Sequence, residues 1–137
     1  MADIIIEYLS AVPLFLEYFA IALVLTGVYI FIYTKLTPHN EMALIKENKP
    51  AASVAFGGSL IGFVLPLASV IENAINLVDM TLWGLVALII QALAFFGLRL
   101  FMPKISERII NNEMAAGIWL GAVSVAAGLL NAACLTY

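Results

Sequence analysis

Four runs of about twenty mostly apolar residues, joined by short polar connections, constrain this chain more than any other feature. A helix rises about 1.5 Å per residue, so a run of that length crosses a hydrocarbon core about 30 Å thick. The first run goes from about Leu14 to Leu36 and ends in Tyr29, Tyr33 and Lys35, residue types that anchor a helix at a membrane interface. The second, from Ala51 to about Ile71, contains Pro66, which predicts a kink, and is followed by Glu72, Asn73 and Asn76. The third, Leu82 to Met102, follows a tight hairpin in which Asp79 or Thr81 is placed to cap the helix. The fourth runs from Ala115 to Thr136, and the chain stops at Tyr137. With 64% hydrophobic and 11% charged residues, nothing is left to fold in water. The expected fold is an all-α membrane protein of four transmembrane helices, residues 1–137 forming a single membrane domain.

Charge narrows the function classes. The net charge of -3 gives no basic face for phosphate, so nucleic acid is not expected as a partner. A single cysteine, Cys134, excludes an intrachain disulfide and a multi-cysteine metal site. The acidic start, MADIIIEYLS, lacks the positive n-region of a signal peptide, so the N-terminus is expected to be retained. All six basic residues fall at two loops, Lys35, Lys46 and Lys49 at one and Arg99, Lys104 and Arg108 at the other. The ends and the central hairpin carry Asp3, Glu7, Glu17, Glu72 and Asp79 without a cation. Lys and Arg are retained in the cytoplasm, so both loops are expected there and both termini on the periplasmic side.

The two halves resemble each other. At an offset of 65, Ala22, Leu23, Thr26 and Pro38 fall on Ala87, Leu88, Gln91 and Pro103; past the loop the offset is 64, and Ala51, Ala52, Gly57, Leu65 and Ala68 fall on Ala115, Ala116, Gly121, Leu129 and Ala132. This predicts two parallel helical-hairpin repeats, about 14–75 and about 79–137, related by an axis along the membrane normal because each unit has an even number of spans. Each loop opens with a proline and then places Met42 and Ile45, or Ile105 and Ile109, at helical spacing. Short amphipathic surface helices fit that pattern, as plain chain reversals or as a gate or docking surface.

Small residues recur at helical spacing, with Ser53 and Gly57, then Gly58 and Gly62, in the second run and Gly117 and Gly121, then Ser124 and Gly128, in the fourth. They permit close backbone approach, either within the bundle or between subunits of a homo-oligomer. Polar groups at membrane depth are few. Thr26 and Gln91 sit near the centres of the first and third helices at matching repeat positions, Asn131 lies inside the end of the fourth, and Glu72 stands at an outer mouth. Each has a helix-packing or solvated-end role to weigh against a place on a polar path. His39 beside Glu41 is one ligand pair without a third, Cys134 has no cation to activate it, and Trp83 and Trp119 read as interface belts. No nucleophile with its base, catalytic carboxylate pair or glycine-rich phosphate loop can be assembled, so neither an enzyme nor a cofactor is expected.

TPHNE at Thr37–Glu41, AASVAFGG at Ala51–Gly58, RLFMP at Arg99–Pro103 and the ending NAACLTY resemble the YjfL-like inner-membrane proteins of bacteria, a family of unknown function (domain of unknown function 350). The resemblance covers nearly the whole chain. It implies a four-span bacterial inner-membrane protein and carries no catalytic residue, ligand or substrate. The functional expectation is a non-enzymatic, self-associating helical module whose partners are the bilayer, further copies of itself and an envelope component. The rival is a small channel or transporter with Thr26, Gln91 and Asn131 along its path.

Overall fold

A computed structural model describes residues 1–36 and 41–135. Among them the chain forms six helices, α1 (Ala2–Leu36), α2 (Glu41–Lys46), α3 (Pro50–Asn73), α4 (Leu77–Phe101), α5 (Ile105–Ile110) and α6 (Met114–Cys134). Four of these, α1, α3, α4 and α6, are long and apolar enough to cross a membrane. Pro38, His39, Thr136 and Tyr137 lie outside the described residues.

α2 and α5 are the short helices that the loops predict, and they end alike. Asn48 and Asn112 have φ of 64° and 59°, a left-handed conformation that asparagine tolerates better than most residues. After α2, Lys49 N donates to Leu44 O at 3.0 Å and Asn48 N to Ile45 O at 3.0 Å. After α5, Glu113 N donates to Arg108 O and Asn112 N to Ile109 O, both at 2.9 Å. Each is a Schellman ending, which satisfies the last carbonyls and turns the chain into the next span. Ile105 and Ile109 are fully buried, so α5 closes the base of the bundle.

α3 and α6 form the densest contact in the protein. They run parallel: the start of α3 at Ala51 meets Gly117 near the start of α6, and Ser69 near the far end donates to Ala132 O at 3.0 Å. A methyl group on Gly58 would strike the Gly121 backbone, and one on Gly121 would lie 2.8 Å from the Val54 carbonyl oxygen. The two backbones therefore touch without intervening side chains. Asn112 Oδ1 accepts from Ala51 N at 3.1 Å, occupying one of the open donors at the start of α3. α4 and α1 pack on this pair. The core they share includes Leu25, Tyr29 and Tyr33 of α1, Phe63 and Leu67 of α3, Phe95 of α4 and Leu120 of α6.

Three expectations need correction. α1 begins at Ala2 rather than near Leu14, and the helix continues through Pro13; the proline removes one backbone donor without ending the helix, and the apolar Ile4, Ile5 and Ile6 lie on its far side. Neither Asp79 nor Thr81 caps α4. Asn76 does, its side chain accepting from Asp79 N at 2.8 Å, while the Asp79 carboxylate reaches back to Ile75 N at 3.1 Å. Tyr29 and Tyr33 are not interface anchors but core residues, 4% and 2% exposed, because with Leu25 they form an i, i+4, i+8 stripe facing α3 and α4.

Gly58→Ala should destabilise by about 1–3 kcal/mol, the cost of forcing an atom into a filled interface. Gly57→Ala, with nothing within 4 Å of the added carbon, should leave stability unchanged or slightly raised. Thermal unfolding of the two variants in detergent checks the contrast.

Candidate intramembrane polar site

The interior polar groups cluster where α3 is interrupted. Pro66 has no N–H, so the carbonyl of Gly62, four residues before it, loses its helical donor. That carbonyl is inside protein, because a methyl group on Gly128 of α6 would collide with it. Gln91 of α4 supplies the missing bond: its Nε2 donates to Gly62 O at 2.7 Å and to Ser124 O at 3.1 Å. Two carbonyl oxygens are met by the NH2 end of an amide, which fixes the way the side chain points. At 2% exposure Gln91 is buried, and it ties α4 to both members of the parallel pair.

One turn away, Tyr29 of α1 shares a hydrogen bond with the Ser59 hydroxyl of α3. The Tyr29 ring stacks on Phe63, centroids 4.5 Å apart and planes 8° from parallel. Each membrane helix thus contributes one buried polar side chain at this level: Tyr29 from α1, Ser59 from α3, Gln91 from α4 and Ser124 from α6. Ser124 Oγ donates to Leu120 O of its own helix at 2.8 Å. Nearer the loop end, the Tyr33 ring meets Phe56 and Phe95 edge-on at 5.3 and 5.8 Å. The Glu41 carboxylate, at the start of α2, is also buried, 1% exposed.

The residues singled out in the sequence divide. Gln91 is at the centre of the cluster. Thr26 is half-buried and donates to Ala22 O of its own helix at 2.8 Å; no hydrogen bond joins it to Gln91. Asn131 stands near the far end of α6, its Nδ2 buried without a partner among the described residues, as is Gln91 Oε1. Glu72 is exposed at the end of α3, beside Asn73, whose Nδ2 donates to Ser69 O at 2.8 Å. Of the small residues, Gly58, Gly62, Gly117 and Gly121 lie in the α3–α6 contact, whereas Gly57 has open space around it and Ser53 is exposed. Sequence reasoning missed Tyr29, Tyr33 and Ser59 as interior groups. The i+4 stripe from Leu25 signals the tyrosines, and the position four before Pro66 signals where a donor is needed.

The family described as Domain of Unknown Function (DUF350) matches residues 7–135. Over 129 residues the chain is 48% identical to "UPF0719 inner membrane protein YjfL" of Escherichia coli (strain K12), covering 94% of this chain and 98% of that one. The protein of the same name in Escherichia coli O157:H7 gives the same figures, 48% over 129 residues. The similarity to "UPF0719 transmembrane protein YshE" of Bacillus subtilis (strain 168) is 22% over 118 residues, 85% of this chain and 88% of that one. No solved structure matches the chain significantly. The resemblance seen in the sequence is thereby borne out, and the chain is placed among multi-pass inner-membrane proteins.

Gln91→Leu should cost roughly 1–2 kcal/mol, the scale of an interhelical hydrogen bond in a membrane. In a Pro66→Ala background the Gly62 carbonyl regains a donor from its own helix, so the same replacement should cost clearly less. A double-mutant cycle read by unfolding in detergent checks this; equal costs in both backgrounds would show that Gln91 does not serve the proline.

Proposed function

The chain belongs to the DUF350 family, and from that premise we propose that it is a non-enzymatic helical module of the bacterial inner membrane that works as an assembly of its own copies. The observation that carries the proposal is the division among its small residues. Those in the α3–α6 contact are consumed inside the chain, yet Ser53 and Gly57 continue the same spacing on the outward side of α3. Beside them the outer face of the α3–α6 crossing is an apolar groove lined by Val54, Gly58, Gly121, Ala122 and Ala126. Close approach of a helix from a second copy suits such a surface, because in lipid packing drives association. Each span also leaves most of its surface to the outside: only 11% of the apolar 18-residue stretch of α1 and 39% of that of α3 are buried.

The module is read as two parallel hairpin repeats. The matching Schellman endings support this, since Asn48 and Asn112, Lys49 and Glu113, Leu44 and Arg108 each stand 64 residues apart. So does the parallel α3–α6 pair, which a pair of even-span units in one orientation requires. The basic residues at the α2 and α5 end support an arrangement with both termini on the periplasmic side.

In lipid nanodiscs and vesicles the native protein should run as a multimer. Gly57→Leu combined with Ala122→Leu should shift it toward single chains without lowering its unfolding temperature. Single-molecule counting or light scattering reads the copy number; a single chain at every protein-to-lipid ratio would overturn the proposal. A second reading, a small channel or transporter, is favoured by Gln91 Oε1 and Asn131 Nδ2, buried and without a partner among the described residues. It expects an ion or proton flux in proteoliposomes that Asn131→Leu removes, whereas the module expects no flux from the native protein.

A further inference from the structure

The N-terminal part of α1 is too long for the membrane that the rest of the bundle defines. α1 has 35 residues, about 52 Å of helix against a hydrocarbon core of about 30 Å. Its outermost packing contacts are made by Tyr18, Ile21 and Ala22 against Val70, Met80 and Leu135, which mark the end of α3, the start of α4 and the end of α6. Everything before Tyr18 therefore extends past the bundle, about 24 Å if the helix stays straight. Yet this extension is apolar: Ile5, Tyr8, Leu9 and Val12 are 54%, 73%, 63% and 45% exposed. Held upright in water, they would present a contiguous hydrophobic face of the kind that folded proteins rarely leave uncovered.

The register of the segment identifies what covers it. Asp3, Glu7 and Ser10 recur at i, i+4 and i+7 and form one polar stripe, while Ile5, Tyr8, Leu9 and Val12 recur at i, i+3, i+4 and i+7 on the opposite side. A segment buried on all sides, or one that continued the span into lipid, would not carry an acidic stripe. Directly after it comes Pro13, which removes the donor of the Leu9 carbonyl and leaves a natural bending point. The Ser10 hydroxyl does not repair that gap, since it donates to Glu7 O at 2.7 Å. An open carbonyl is costly in hydrocarbon and harmless where water reaches, so the Leu9–Pro13 turn belongs at the membrane surface. Its position agrees: Pro13 lies five residues before Tyr18, about 7.5 Å beyond the bundle's edge, at headgroup depth.

We propose that residues 2–12 are an interfacial anchor, a helix bent at Pro13 onto the lipid surface at the N-terminal face of the bundle, with Ile5, Tyr8, Leu9 and Val12 in the acyl boundary and Asp3, Glu7 and Ser10 toward water. The partner is the lipid surface itself. Because residues 2–12 carry no basic side chain, the attachment comes from apolar burial and not from side-chain pairing with anionic headgroups. The inference stands on the membrane location and not on self-association.

The test uses the full chain with Cys134→Ser and single cysteines introduced as Ile5→Cys, Glu7→Cys, Leu9→Cys or Ser10→Cys, each labelled with an environment-sensitive fluorophore. The variants are reconstituted in phosphatidylethanolamine–phosphatidylcholine vesicles with and without a lipid carrying a quencher near the headgroup. The labels at positions 5 and 9 should be quenched several-fold more than those at 7 and 10, and dilution with lipid should not change the pattern. Equal water access at all four positions would overturn the proposal in favour of an upright helix. Protection at 5 and 9 that is lost on dilution would overturn it in favour of a second copy covering the face.

Discussion

Lipid tails are as apolar as leucine, so nothing in a bilayer pushes two apolar helices together as water would; what holds them is the closeness that their surfaces allow. In this protein the closest approach is between α3 and α6, where Gly58 meets Gly121 and Gly62 meets Gly128. Backbone contact at these points brings the interior so near that a freed carbonyl has no water to turn to. Pro66 frees one, and the Gln91 amide has to come from α4 to meet it. The order of dependence runs from the glycines, to the buried carbonyl, to Gln91, and so to the placement of α4. α1 joins last, through the Tyr29–Ser59 bond and the aromatic stack on Phe63, with the least of its surface covered.

How much of this could be read from the chain follows from which properties are local. The four spans are legible because length and apolarity alone decide them, and the two loop helices because a proline and an apolar pair, Met42 and Ile45 or Ile105 and Ile109, announce them. The start of α1 is not, since Glu7, Ser10 and Pro13 interrupt the hydropathy without breaking the helix. The tyrosines near the end of a span read as a belt, because aromatic residues at that depth serve either the interface or the core and only the neighbouring helices decide. The small residues pose the same difficulty. Gly57 and Gly58 are adjacent in sequence, yet one meets open space and the other the Gly121 backbone, a difference set by helix rotation that composition does not encode. Gln91 stands out as a mid-membrane amide, but its role depends on Pro66, 25 positions earlier in the chain.

The proposed repeat sharpens this point, because the polar core departs from it. At the offset of 64, Pro66 corresponds to Leu130 and Ser59 to Val123; at 65, Gln91 corresponds to Thr26 and Tyr29 to Ala94. The endings of the loop helices, by contrast, keep the same hydrogen bonds in both halves. Chain reversal thus follows the repeat, while the interior breaks it. A proline in α3 alone makes one member of the parallel pair the weaker rod, since α6 keeps an unbroken ladder at the corresponding level. Gln91 and Gly128 both bear on the point of weakness, one by bonding the carbonyl and the other by leaving room for it. Bending α3 at Pro66 would therefore separate Gly62 from α4 and α6 together. The only relief would come from a new donor for that carbonyl, and until one arrives the Gln91 amide holds the Gly62 carbonyl against α4 and α6.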